Sequence, residues 1–118
     1  MEQRPFTSLR IWNEAYALTR EIYRLTLSFP ACERFSMISQ LCRAAVSVPA
    51  NIAEGTGRKG NKEMAHFLYI ARGSVHEMIC LLMLSSDLEY VQRDVCEGLS
   101  ARFRGLSVGI HALIRRIS

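Results

Sequence analysis

Apolar residues recur every three or four positions along nearly the whole chain, which is the spacing of amphipathic helices. The first row is Leu9, Trp12, Ala15, Tyr16, Thr19, Ile22, Tyr23, Thr26 and Phe29, with Ser8 placed to cap its start and Pro30 to stop it. Ile11, Leu18 and Leu25 widen this row, so more than one neighbour covers it, and its breadth suggests that another subunit completes part of it. A second helix is predicted from Ser36 to Glu54 on Ile38, Leu41, Cys42, Ala45, Val48 and Ile52. Pro49 falls inside it, removing one backbone donor and crowding the carbonyl of Ala45. The helix then either kinks or ends and restarts; the apolar spacing keeps phase across Pro49, which favours a kink.

The stretch Gly55 to Gly60 reads as the one glycine-rich loop. Asn61 is placed to cap a third helix, with Glu63 in its first turn. That helix runs to Leu88 on Met64, Phe67, Leu68, Ala71, Val75, Met78, Leu81, Leu82 and Ser85. The fourth spans Gln92 to Ile117 on Val95, Leu99, Phe103, Leu106, Ile110, Leu113, Ile114 and Ile117. Gly98, Gly105 and Gly109 each weaken it by about 1 kcal/mol relative to alanine, and glycines retained at that cost point to close approach by another backbone. No segment alternates as a half-buried strand does. Four such helices with short connections make an all-α, antiparallel four-helix bundle, a single domain over residues 1–118.

Composition agrees. With 49% hydrophobic and 22% charged residues over 118 positions, the chain has enough apolar surface for one core and too much for disorder. No run of about 18 uncharged apolar residues marks a membrane span. The opening Met1-Glu2-Gln3-Arg4-Pro5 lacks the layout of a secretory signal, so a cytoplasmic protein is expected. Cys32, Cys42, Cys80 and Cys96 contain no close pair of the kind zinc sites use; Cys42, Cys80 and Cys96 lie among apolar residues and read as small buried hydrophobes.

Several chemical signals dissolve on inspection. Gly55 to Gly60 matches the glycine string of dinucleotide-binding folds, but a helix precedes it and no parallel sheet is available. What survives there is a set of backbone donors at the start of helix three, with Arg58, Lys59 and Lys62 placed for a phosphate. Glu63 and His66 have the spacing of a di-iron ligand pair without its mate, so no metal is expected. No strained turn presents a nucleophile. The sequence thus predicts no enzyme, no cofactor and no catalytic residues.

Two surface patterns carry more. On helix two, Gln40, Arg43, Ser47, Asn51 and Glu54 share one face; they suit a polar network or subunit contact, with Arg58 or Arg72 available to offset Glu54. On helix four, Arg93, Arg104 and Arg115 are nearly three whole turns apart and line one face, interrupted by Glu97. Thirteen of the fifteen cationic residues are arginine, which binds phosphate as a bidentate fork, and the net charge is +4 with a pI of 9.1. Against this, no exposed aromatic ladder for stacking single strands is apparent.

Three phrases then point to a family. They are Leu9-x-x-Trp12 with Ala15 and Ile22-Tyr23-x-Leu25 to Phe29-Pro30; Ser39-Gln40-Leu41-x-Arg43-Ala44-Ala45-Val46-Ser47-Val48-Pro49-Ala50-Asn51-Ile52-Ala53-Glu54-Gly55; and Glu63-x-x-x-Phe67-Leu68-x-Ile70-Ala71-Arg72-Gly73-Ser74-x-x-Glu77. Together they cover almost the whole chain and resemble the 23S ribosomal RNA intervening-sequence proteins. The resemblance implies an up-down-up-down bundle with a long, proline-bent second helix, assembled as a homopentamer. It implies no enzymatic activity. It also marks Gln40, Arg43, Ser47, Asn51, Glu54, Arg72, Ser74 and Glu77 as recurrent polar positions of unassigned role. Related bundles accompany reverse transcriptases, where a basic surface meets nucleic acid. The resulting expectation is a self-associating bacterial bundle that binds RNA or DNA through Arg58, Lys59, Lys62, Arg93, Arg104 and Arg115. The alternative is a protein-interaction scaffold.

Overall fold

The computed structural model describes residues 5–118, of which Arg10–Thr26 form α1, Met37–Thr56 α2, Asn61–Asp87 α3 and Arg93–Ile117 α4. Single-turn 3-10 helices at Phe6–Ser8 and Ala31–Glu33 precede α1 and α2. Cross-helix contacts run in opposite senses throughout. Thr19 meets Ala45, and Thr26 meets Cys42; Ser47 meets Ser74, and Gly55 meets Met64; His76 meets Ser107, and Arg72 meets His111. Each helix is therefore antiparallel to the next, and α1 closes the ring against α4 through its thinnest seam.

The core forms where the predicted rows converge. Leu18, Ile22, Leu41, Ile52, Leu68, Met78, Leu82, Phe103, Ile110 and Ile114 are fully buried. α3 is long and apolar enough to cross a membrane by length and composition; within it Leu68, Ala71, Val75, Met78 and Leu82 are buried in the bundle, while Ile70, Met83 and Leu84 are exposed.

Four expectations change. Ser8 lies in the 3-10 turn, donating to the Pro5 carbonyl at 2.8 Å, and Leu9 takes the cap position of α1. Gly60, at φ +84°, occupies the cap position of α3, and Asn61 becomes its first residue. Of the predicted α1 row, Ala15, Ile22 and Thr26 are buried together with Leu18, while Tyr16 and Tyr23 stay half-exposed. Ile11 packs on Gly109, and Leu25 shares an open hollow with Val95 and Leu99 of α4. Cys96 is buried as expected, but Cys80 and Cys32 are exposed.

The glycines also divide. A Cβ on Gly98 or Gly105 would meet nothing within 4 Å, so no backbone approaches them within the chain. The close crossing sits instead at Gly55, where a Cβ would lie 3.1 Å from the Met64 carbonyl and 3.2 Å from Phe67 Cβ. α2 continues two residues past Glu54 to place this glycine against α3.

α2 runs without interruption through buried Pro49, so it does not end and restart there. The helical donor that Pro49 withholds from the Ala45 carbonyl is replaced from outside: Thr19 Oγ1 of α1 lies 3.0 Å from that oxygen. The same hydroxyl is 2.8 Å from the Ala15 carbonyl of its own helix.

Ser85 Oγ, fully buried, has no hydrogen-bond partner among the described residues. Desolvating a hydroxyl without a partner costs stability, so Ser85→Ala is expected to raise unfolding stability by about 1 kcal/mol in urea titration. A loss of stability would show that the hydroxyl is satisfied.

At one end Tyr90 ties the two helix connections together. Its hydroxyl donates to Glu33 Oε2 at 2.8 Å, its ring packs on Phe29 at 5.3 Å, and Glu33 Oε1 accepts the Met37 N–H at 3.3 Å. The Tyr90 hydrogen bond, then that of Met37, holds the Glu33 carboxyl below its ordinary value; the bond to Glu33 pushes the Tyr90 phenol up. Glu33 thus adds stability that is present above its unfolded pKa and is lost as pH falls through the lowered folded value. Tyr90 adds stability present below its unfolded pKa and lost as pH rises through the raised one. Tyr90→Phe should lower stability at pH 7, and the gap to wild type should narrow in strong acid. A gap independent of pH would remove this pair from the account.

Candidate nucleic-acid interface

Antiparallel packing sorts the charges along a molecule measuring 49 × 23 × 20 Å. The carboxyl ends of α2 and α4 and the amino end of α3 meet at one end, bringing together Arg58, Lys59, Lys62, Arg115 and Arg116 against Glu54 and Glu63. The other end holds Glu33, Asp87, Glu89, Asp94 and Glu97 against Arg24, Arg34 and Arg93. Arg115 and Arg116 in the last turn of α4 also suit the negative end of its dipole.

Within this gradient one face is continuous. α4 carries no acidic residue after Glu97, and α3 carries none between Glu63 and Glu77. Their shared flank brings Lys62, Arg72, Arg104 and Arg115 together with all three histidines, His66, His76 and His111. Arg72 Nη1 lies 3.0 Å from His111 Nδ1. A guanidinium only donates, so Nδ1 accepts and the ring proton sits on the outward Nε2. His76 Nε2 lies 3.2 Å from Ser107 Oγ, fixing the next turn of the seam. Tyr69 stands on the same α3 flank with 54% of its surface exposed. This geometry suits a polyanion: cations held on two rigid helices, with Asp87 and Glu97 bordering them only beyond Arg104 at the acidic end.

The structure distributes the predicted residues unevenly over this face. Lys62, Arg104 and Arg115 lie on it, all exposed. Arg93 shares a hollow with Asp87 and Glu97 at the acidic end, although Arg104 borders the same hollow. Lys59 is exposed in the α2–α3 turn. Arg58 points to the α2 side, pairing with Glu54 at 2.9 Å and covering the Phe67 ring at 4.8 Å. Gly55 and Thr56 are buried in α2, so the glycine string is not a phosphate-cradling loop. Arg72, Tyr69 and His76 joined the face without having been expected there, whereas Arg116 lies on the side of α4 that carries Arg102 and Gly109, towards α1. Lys62, His66, Tyr69 and His76 are spaced four, three and seven, a signal that becomes visible once α4 is known to lie beside them.

The polar stripe of α2 resolves into a smaller network. Ser47 Oγ and Ser74 Oγ lie 2.8 Å apart, and Asn51 Nδ2 donates to the Ser47 carbonyl at 2.8 Å and to Ser47 Oγ at 3.0 Å. All three are partly buried between α2 and α3. Gln40, Arg43 and Glu77 are exposed, and Arg72 belongs to the opposite flank.

On the seam between α1 and α4, Arg102 bridges Glu14 at 3.3 Å and Glu21. Burial works against its charge, but the hydrogen bonds and charges of Glu21 and Glu14 more than offset this and raise its pKa. Arg102 is therefore committed to the fold. Aromatic groups are also less hidden than expected: Phe6, Trp12 and Tyr16 form a row with centroids 5.1 and 4.7 Å apart, and Tyr16 is half-exposed.

The fold is similar to the crystal structure of a protein of unknown function from the S23 ribosomal protein family of Bacteroides thetaiotaomicron. The two superpose with a TM-score of 0.79 at 20% identity, over 88% of this chain and 97% of that one. No curated protein matches the chain. A family model, 23S rRNA-intervening sequence protein, matches residues 7–112, which takes in α1, α2, α3 and most of α4, including Lys62, Arg72 and Arg104 but not Arg115. The chain therefore belongs to the 23S rRNA-intervening sequence protein family.

Proposed function

We propose that this is a non-enzymatic, homo-oligomeric bacterial protein of the cytoplasm that binds RNA or DNA phosphates with its α3–α4 face. One observation carries the reading: α4 beyond Glu97 and α3 between Glu63 and Glu77 lack acidic side chains, yet together display Lys62, Arg72, Arg104 and Arg115 on one flank. Phosphate contacts of this kind position a nucleic acid without reading its sequence. Self-association, with five subunits as the expected number, repeats the face and raises avidity without new chemistry. Exposed Val46 and Ile70, within one turn of Ser47 and Ser74, support α2–α3 as the contact between subunits. The same face favours the second reading, a scaffold for another protein.

Two measurements test this. Gel retardation of a structured ribosomal RNA fragment at low salt should show binding, and its absence would leave the scaffold reading. Light scattering should give a mass several times 13.4 kDa. A monomer would refute the oligomer.

A further inference from the structure

Phosphate contacts do not distinguish paired from unpaired strands, but the shape of the basic end does. Asn61, Lys62, Ala65, His66 and Tyr69 of α3, Ile117 of α4 and Ser118 after it line an open hollow of about 440 Å³. That volume falls within the roughly 300–1,000 Å³ typical of small-ligand sites. Ala65 and Ile117 make part of the wall apolar, and Tyr69 adds a ring that is 54% exposed. No other ring packs on Tyr69 among the described residues, whereas Tyr16 is stacked on Trp12 at 4.7 Å. Lys62 stands two turns, about 10 Å, before Tyr69 on the same flank. The hollow therefore sets an unpartnered aromatic face beside a cation, the pairing by which single-strand binders stack a base and hold its phosphate. Asn61 and His66 add donors and acceptors at its rim.

We propose that this hollow receives an unpaired nucleobase stacked on Tyr69, so that the α3–α4 face prefers single-stranded segments to continuous duplex. The proposal rests on the nucleic-acid reading above. A base inside a duplex reaches such a hollow only after unpairing and swinging out, and that cost disfavours the duplex.

The test uses the full-length protein with a fluorescent oligouridine and a blunt RNA duplex of equal length, titrated by anisotropy at one low salt concentration. Wild type should bind the single strand about tenfold more tightly, the scale of one stacked base. Tyr69→Ala should erase this preference by weakening single-strand binding about tenfold, and Tyr69→Phe, which keeps the ring, should retain it. Lys62→Ala should weaken both ligands. Equal binding of the two ligands by wild type, or a preference that survives Tyr69→Ala, overturns the stacking site and leaves the phosphate face intact. Binding of neither ligand overturns both.

Discussion

Reversing Lys62, Arg104 and Arg115 to glutamate together is expected to weaken RNA binding by about a hundredfold or more at low salt. A cation in contact with a phosphate gains about 1 kcal/mol in water, and reversal replaces that gain with repulsion of similar size. Each site then contributes about one decade, and three sites on one polyanion give about two to three. All three side chains are exposed, with no ion pair or hydrogen bond assigned to them, so the variant should fold with unchanged helicity. The informative control reverses Arg20, Arg24 and Arg34, which are exposed on α1 and on the connection that follows it. It makes the same change in net charge on other faces and should alter affinity by less than about threefold. Equal losses in the two variants would mean that bulk charge, rather than the α3–α4 face, attracts the RNA.

The second large effect concerns the fold. Thr19→Val is expected to destabilise the protein by about 1–3 kcal/mol, because it leaves the Ala45 carbonyl desolvated without a donor. Ala15 loses little, since its carbonyl keeps the helical N–H of Thr19. The cost should depend on Pro49. In Pro49→Ala the restored N–H reaches Ala45, and Thr19→Val should then cost clearly less. Urea unfolding of wild type, both single variants and the double variant gives the coupling directly. Additive losses would show that Thr19 acts only through packing.

Much of this was legible from the chain. Helical periodicity alone placed the four helices, and the unbroken phase around Pro49 anticipated that α2 would continue. What spacing on one helix does not contain is which stripe of another helix lies beside it. Arg104 and Arg115 were visible as a row on α4, and Arg72 was read with α2, yet the antiparallel register sets Arg72 against His111 and merges it with the α4 row. Arg93 shows the converse: it has the right spacing on its own helix, but packing places it beside Asp87 and Glu97. Gly55 read as the start of a loop because glycine is common past helix ends, whereas its contacts with Met64 and Phe67 make it the point where α2 crosses α3. Tyr16 and Tyr23 fit an apolar row equally well buried or exposed; only the position of α4, against Ile11 and Leu25, turned them outward.

The central claim is that phosphates are held by cations of one face, and salt dependence tests it most directly. If Lys62, Arg72, Arg104 and Arg115 each neutralise a phosphate, log K against log salt should fall with a slope of about −3 to −4 per protomer. The triple reversal should flatten that slope, leaving about one contact. A slope near zero in wild type, or one that the reversal leaves unchanged, would contradict the account.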